Sequence, residues 1–580
     1  MKKLLAVGVI VLFLGLAIAP SINADVKQST MSTAKGDTLY VGGTGTGNYS
    51  TIQDAIDNAS IGDTVFVYDD SSPYYEFRIV ISKSITLIGE NKNTTIIDGE
   101  NNGDSILKIF SDDVYVKGFT IQNGWGGFFE DAGIEINSNY STISGNIISD
   151  NINGIISSFN NNNSITDNII FNNEICGIQF EKSSNNAINN NTFSNEGGGL
   201  YLDYSNHNII TNNSFYYGGL YVHDSYKNLV FNNTINNKPL VYLEEESNKN
   251  IENAGQIVLV NCNKINIQKQ EFSYTDVCIV LLNTSNSTIS ENILKSNDLG
   301  LTLRYSNNNK IFNNTISENS YGIALTRYCN NSIISNNDIT NNTRFGMLIQ
   351  DSYNNIINDN KISNNTKGIE LAYCYKNTIF CNYISYNEVG IDLYISSSKS
   401  NLIYHNNFIN NIINAKDECN NFWDNEYPSG GNYWSDYTGN DSDGDGIGDT
   451  PYNISGGDNQ DRYPLMEPYS MTELSLNFIR GGLFRFSGDI KNIGNNTAFN
   501  VQWKITLDEG FILLGKKSSG TIPKPLIVGE ETKVSSKLIL GFGPITITVA
   551  VWADNAPYVT KSTTGFLLLF FIHINPGGAK

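Results

Sequence analysis

The sequence predicts an all-β chain, a right-handed parallel β-helix followed by a C-terminal Ig-like β-sandwich. Three observations carry that prediction. Glycines recur between Gly154 and Gly390, most of them about 22 residues from the next, the spacing of a stacked repeat. In the frame these glycines set, one residue type returns at each offset. Six places on stands a small residue (Ser183, Ser205, Ser306, Cys374, Ser396), and eleven on an isoleucine or valine (Ile188, Ile210, Val230, Ile311). Fourteen on stands an asparagine (Asn168, Asn191, Asn213, Asn314, Asn382), and sixteen on another apolar residue (Ile170, Phe193, Ile235, Ile384). After the glycine the chain alternates, as in Leu301-Thr302-Leu303, which is the period of a strand with one buried face.

Short strands of this kind bury nothing alone. Stacked rung on rung, they share one core, and each backbone group pairs with the rung above or below. Asparagine at a constant place can run as an amide ladder, and Asn and Gly suit left-handed corners. No 3.6-residue apolar period supports a helical solenoid. Where the glycine is missing, Leu240, Gln256 and Cys278 take its place, which puts Ile251, Ile267 and Ile289 in the isoleucine slot. The Gly322 rung carries one extra residue and reads Cys329, Ile334, Asn337, Ile339.

In chain order, residues 1–24 read as a secretory signal peptide: Lys2-Lys3, an apolar run over 4–19, then Ser21-Ile22-Asn23-Ala24. An uncleaved anchor is the alternative reading, though the run is short for a span. Residues 25–39 are a linker. Residues 40–105 form an N-terminal cap and first rungs, with an amphipathic helix over 51–59 and strands at 64–68, 78–81 and 84–88. An open solenoid end exposes an apolar cross-section, and the helix covers it. Repeats fill 106–415, interrupted by a glycine-rich loop at 124–131 and by a short rung between Leu240 and Gln256. Residues 416–470 form the far cap, with Trp423 and Trp434 over the last rung. Residues 471–580 alternate as an Ig-like sandwich, and the apolar run 566–574, too short to cross a bilayer as a helix, is its last core strand.

The formal charge of −21 argues against nucleic acid or an anionic membrane as partner and suits cation binding. Seven cysteines cannot all pair internally; most read as small stacking residues, with an inter-rung disulfide or a free thiol left open. Four histidines and five methionines without a clustered set support transition-metal chemistry poorly. The Asn-Thr-Asp and Gly-His-Gly signatures of a polygalacturonase-like hydrolase do not occur.

Two constellations are candidates for chemistry. In Asp441-Ser442-Asp443-Gly444-Asp445-Gly446-Ile447-Gly448-Asp449, carboxylates at alternate positions can wrap a hard cation in oxygen. The expected ligands are Asp441, Asp443, Asp445, the carbonyl of Ile447, and Asp449. The cation would be Ca²⁺, holding the cap shut; a solvated acidic turn is the bland reading. The second constellation is a strip on the outer wall. Tyr201, Tyr221 and Tyr242 fall two places past the glycine slot on successive rungs, and Glu181, Asp203, His223 and Glu244 four places past it. With rungs about 4.8 Å apart, this predicts a tyrosine ladder beside a line of acids, a surface that suits sugar rings. Aromatic ladders and surface acids also serve structure alone, and paired carboxylates serve glycoside chemistry.

Ser84-Ile85-Thr86-Leu87-Ile88-Gly89 and Thr95-Ile96-Ile97-Asp98-Gly99 resemble the opening of pectin-lyase-like β-helix proteins, and the aspartate loop resembles those of dockerin and thrombospondin-type repeats. Residues 40–470 resemble the NosD-like family of periplasmic copper-binding, CASH-type β-helix proteins. That likeness rests on Lys238-Pro239-Leu240-Val241-Tyr242-Leu243, Gly255-Gln256-Ile257-Val258-Leu259-Val260, and Gly430-Gly431-Asn432-Tyr433-Trp434-Ser435-Asp436-Tyr437. The resemblance implies a β-helix and a role in copper delivery. The favoured expectation is an exported protein, secreted, periplasmic or at the cell surface. It would bind carbohydrate or build the envelope without catalysis, and have no membrane span in the mature chain. The alternatives are a polysaccharide lyase, epimerase or hydrolase using Asp203, His223 and Glu244, and a copper-handling accessory protein.

Overall fold

Thr51 starts the fold physically: its hydroxyl accepts from the Asp54 N–H and caps the helix Ile52–Asn58. The structure, a computed structural model, describes residues 36–125, 131–194, 197–394 and 397–574. The expected signal peptide, most of the linker, the centre of the 124–131 loop and Ser396 lie outside the described residues. Ile52, Ala55 and Ile56 turn inward and join the apolar core of the first rungs.

Each regular rung is three short strands, as in Ser164–Thr166, Ile169–Phe171 and Cys176–Glu181, and each strand pairs in parallel with its copy one rung on. Ile165 meets Ile188, Ile170 meets Phe193, and Ile178 meets Leu200, all fully buried or nearly so. The glycine slot has a steric cause: a Cβ at Gly154 would lie 2.4 Å from the carbonyl oxygen of Gly177 in the rung above. The expected amide ladder is present. Asn146, Asn168, Asn191 and Asn213 each donate their backbone N–H to the next side-chain oxygen, at 2.9–3.0 Å, ending on Asn233. The residue before each ladder asparagine is left-handed, for example Asn190 at φ 56° and Asn212 at φ 57°. Because these amides are buried, each must find partners on both sides, and the ladder supplies them. Cys262, Cys329 and Cys374 occupy the small-residue slot, and with Cys278 and Cys381 they are free thiols. In the last rung that slot is Ser398, whose hydroxyl accepts from Cys374 N–H; two extra residues shift the frame past Ser396.

The stack is not one coil. Strand Leu220–His223 ends its sheet, and Thr234–Ile235 turns back into Lys238–Glu244 as an antiparallel hairpin. The turn residues Asn236 and Asn237 are both left-handed, the pair of angles a tight hairpin needs. From Lys238–Glu244 a new parallel sheet grows through Gln256–Val260 and Val277–Leu282. Reversing the strand moves the core to the other face of the sheet. Ile257, Leu259, Ile279 and Leu281 line the second core, whereas Val258, Val260, Val280 and Leu282 pack with Leu220, Val222 and Ile235 of the first. The outer wall of the second coil therefore covers the open end of the first. Gln256 seals the joint: its amide accepts from Leu220 N–H at 2.9 Å and donates to Leu220 O at 3.0 Å, taking the place of a missing strand.

The second coil ends under tryptophans. Trp434 stacks on Phe408 at 4.3 Å, and Trp423 lies against both rings. Beyond it, two antiparallel sheets share one apolar core: a three-stranded one (Leu474–Arg480, Ser487–Asn492, Glu531–Ser535) and a larger one built on the long hairpin Leu540–Ala553 and Ala556–Leu569. The run 566–574 is not a single core strand. It breaks at Phe570 between Ala556–Leu569 and Phe571–Ile574; Leu567 and Ile572 are buried, whereas Phe566, Leu568 and Phe571 face solvent.

Candidate functional site

Alternation on Leu200–Asp203 and Leu220–His223 buries the leucines and Val222 and turns Tyr201, Asp203, Tyr221 and His223 to the outer wall. The strands are in register, Tyr201 beside Tyr221 and Asp203 beside His223. The two phenol rings stack at 5.3 Å with 18° between planes. His223 Nδ1 contacts Asp203 Oδ1, and the Tyr204 ring meets the imidazole edge-on at 5.7 Å. Burial pushes the Tyr201 phenol above its usual range and the Asp203 charge adds to the effect, so the hydroxyl remains a donor. Four of the six expected strip residues thus form one continuous face.

Tyr242 and Glu244 do not continue it. Their strand pairs with Gln256–Val260 and not with Leu220–His223, because the hairpin at Asn236-Asn237 has reversed the chain. Glu244 instead ends a ladder. Asn163 donates its N–H to the Asn186 side chain, Asn186 to Asn208 and Asn208 to Asn228, and the N–H groups of Lys227 and Asn228 donate to Glu244 at 2.6 and 3.2 Å. The Tyr242 hydroxyl donates to the same carboxylate at 2.7 Å. Burial, and then the Glu244 charge, hold that phenol far above its usual range.

What the glycine frame did not reveal is the set of residues that the second coil brings to this face. Arg304 and Arg327, from neighbouring rungs of the second coil, both donate to Asp224 Oδ2, at 3.2 and 3.1 Å. Arg304 stands four past Gly300, the offset of Asp203 and His223, so it was visible as an outward residue; its partner across the junction was not.

In the cap, carboxylate oxygens of Asp441, Asp443 and Asp445 lie within 4.8 Å of one another. The loop is shaped by backbone donors: Gly444 and Gly446 N–H to the two oxygens of Asp441, and Ile447 N–H to Asp445. Asp449 stands outside this cluster and accepts from Ser442 N–H at 2.8 Å. The Ile447 side chain anchors the loop in an apolar cluster with Leu465, Tyr469 and Phe499. Burial raises the Asp445 carboxyl, and the charges of Asp443 and Asp441 raise it further, a strain that a hard cation would relieve.

Copper fits poorly. Among the described residues the aspartate trio is the one grouping of three candidate ligands, and it offers only hard oxygens. The thiols of Cys278, Cys329 and Cys374 are buried and pushed up to about 12, and His405 is enclosed between Tyr469 and Tyr404.

No curated protein matches the chain significantly. Among solved structures, the catalytic domain of a GH87 α-1,3-glucanase in complex with nigerose is 13% identical over 60% of this chain and 66% of its own, just under two thirds, with a TM-score of 0.29. A mannuronan C-5 epimerase A-module from Azotobacter vinelandii is 12% identical over 64% of this chain and 92% of its own, at 0.22. A tailspike protein of an E. coli bacteriophage in complex with a pentasaccharide is 9% identical over 86% and 91%, at 0.26. Likeness at this level carries nothing about activity. The family model described as periplasmic copper-binding protein (NosD) matches residues 56–254 and 245–439, more than half of the chain. With a parallel β-helix built over the same residues, this chain belongs to the NosD family.

Proposed function

We propose that this chain is an exported, non-catalytic β-helix that binds a carbohydrate of the cell envelope on the wall around Tyr201 and Tyr221. In this reading Ca²⁺ at Asp441, Asp443 and Asp445, with the Ile447 carbonyl and Asp449 closing round it, steadies the cap. The terminal sheets act as an Ig-like attachment or spacing module. The observation that carries the reading is the stacked Tyr201–Tyr221 pair beside Asp203 and His223, flat apolar faces flanked by hydrogen-bonding groups. Catalysis is disfavoured by how the acids are used. Glycoside hydrolysis needs two carboxylates about 5–9.5 Å apart across the scissile bond. Here Asp203 is engaged by His223, and Glu244 is held by two N–H groups and a phenol.

A glycan screen on the full chain, with and without chelator, tests the proposal. Binding without release of reducing ends or unsaturated uronates is expected, along with a lower melting temperature in chelator. Turnover of any polysaccharide would replace this reading with the enzyme one, and tight copper uptake on elemental analysis would favour the copper-handling one.

A further inference from the structure

At the joint between the two coils, beside the Tyr201 strip, an open cleft of about 470 Å³ is lined by Tyr204, Asp224 and Tyr226 from the first coil and by Asn283 and Tyr305 from the second. Its volume falls among small-molecule sites, about 300–1,000 Å³. Three tyrosines supply apolar faces with polar tips. The polar groups are built in rather than scattered on the surface: Asp224 and Arg304 are each only 8% exposed. Asp224 spends one oxygen on both arginines, while its Oδ1 has no hydrogen-bond partner; the Nε–H of Arg304, in the same cluster, has none either. Buried groups of this kind are normally satisfied, and an orphaned acceptor and an orphaned donor in one cluster are what a bound polar molecule would repair.

We propose that this junction cavity is a sugar site, taking one neutral hexopyranose from the end or a branch of a glycan whose remainder runs along the Tyr201–Tyr221 wall. Tyrosine faces hold the ring, and adjacent hydroxyls, each both donor and acceptor, meet the tyrosine tips and the Asn283 amide; the unpartnered Asp224 Oδ1 and Arg304 Nε lie buried beneath and are reached only when the side chains above them shift. A neutral sugar is favoured over a uronate because the chain carries a formal charge of −21, which repels polyanions at long range. The site exists only because the sheet reverses at Asn236-Asn237, since Asn283, Arg304 and Tyr305 reach it from the second coil. This proposal rests on the carbohydrate-binding reading but uses residues outside the strip.

Saturation-transfer NMR on the full chain with methyl glycosides of glucose, galactose, mannose and glucuronic acid, followed by titration with neutral oligosaccharides, tests it. At least one neutral methyl glycoside is expected to bind. Tyr305→Ala should weaken it at least about tenfold. Asn283→Gly, which keeps the left-handed backbone at φ 50° and so spares the fold, should weaken it as well. Tyr201→Ala should weaken only the longer oligosaccharides. Circular dichroism of each variant checks that the helix remains assembled. Oligosaccharide binding that depends on Tyr201 but not on Tyr305 or Asn283 would overturn the cavity and leave the wall. Binding of the glucuronide alone would overturn the neutral assignment, and absence of binding by every glycan would overturn both readings.

Discussion

The two coils use the same rung but end differently. The first ends on Leu220, Val222 and Ile235, covered by Val258, Val260 and Val280 on the outer wall of the second, and one of its amide ladders stops at Glu244. The second ends under Trp423 and Trp434, and its ladder through Asn406 and Asn432 stops at Asp461, which accepts from Asn432 N–H at 2.7 Å and from the Trp434 indole at 2.8 Å. An amide ladder is directional: each asparagine accepts from the rung below, so the last N–H needs an acceptor that no further rung provides. A carboxylate supplies it at both ends. Acids at the ends of a stacked repeat are thus structural by default, and Glu244 is the instance that looked like chemistry.

The largest expected effect is at the tryptophan end. Trp434→Ala removes a fully buried ring stacked between Phe408 and Tyr452 and should cost about 3–5 kcal/mol. Hydrogen exchange should show the loss in the last rungs of the second coil while the first coil keeps its protection. Equal loss in both coils would break the distinction between the two ends.

His405 comes next. It is buried against Tyr469, and its Nε2 contacts the Ser429 carbonyl at 2.8 Å. Burial pulls its pKa down to about 4 from an ordinary 6.5. The unfolded chain therefore binds the proton first as pH falls. The stability that the neutral imidazole contributes is complete above pH 6.5 and lost as pH falls through the window to about 4, by about 3 kcal/mol in total. Asp461, pushed up to about 7 by burial against the pull of its N–H donors, works in the opposite sense, losing stability as pH rises through that range. The difference between the pH–stability curves of the native chain and His405→Phe isolates the histidine, and curves that run parallel from pH 6.5 to 4 would remove it from the account.

Calcium should sharpen the comparison at the same end. At a hundredfold excess over Kd the ion should add about 2.7 kcal/mol, read as a rise in the melting transition of the cap. Asp443→Asn should reduce that rise without touching the first coil. At the junction, Glu244→Ala should cost about 2 kcal/mol by leaving the N–H groups of Lys227 and Asn228 without their acceptor. Glu244→Gln, which keeps one acceptor oxygen, should recover much of it, and a full effect in both variants would point to charge rather than ladder closure.

Most of the fold was legible because stacking repeats its demands. The isoleucine slot, the glycine slot, the ladder asparagines and the tryptophan cap each answer a local requirement that recurs every rung, so offsets alone place them. The reversal at Asn236-Asn237 was not legible from offsets, since the glycine frame runs on through Leu240 and Gln256 while the chain direction inverts. Its signals were of another kind: a rung too short, two consecutive asparagines, and the unbroken apolar runs of 257–260 and 277–282, which mark sheets buried on both faces. Tyr201, Tyr221, Asp203 and His223 came together because they lie before the reversal. Asp224, Arg304 and Tyr305 meet only after it, and sequence spacing holds no trace of that contact.

Hydrogen–deuterium exchange of the full chain with and without a saturating neutral oligosaccharide tests most directly whether the junction of the coils is the binding surface. Slowed exchange confined to residues 200–226 and 283–305 is the predicted result. Protection along the exposed turns at 341–412, or no change at the junction while the sugar is bound, would contradict it.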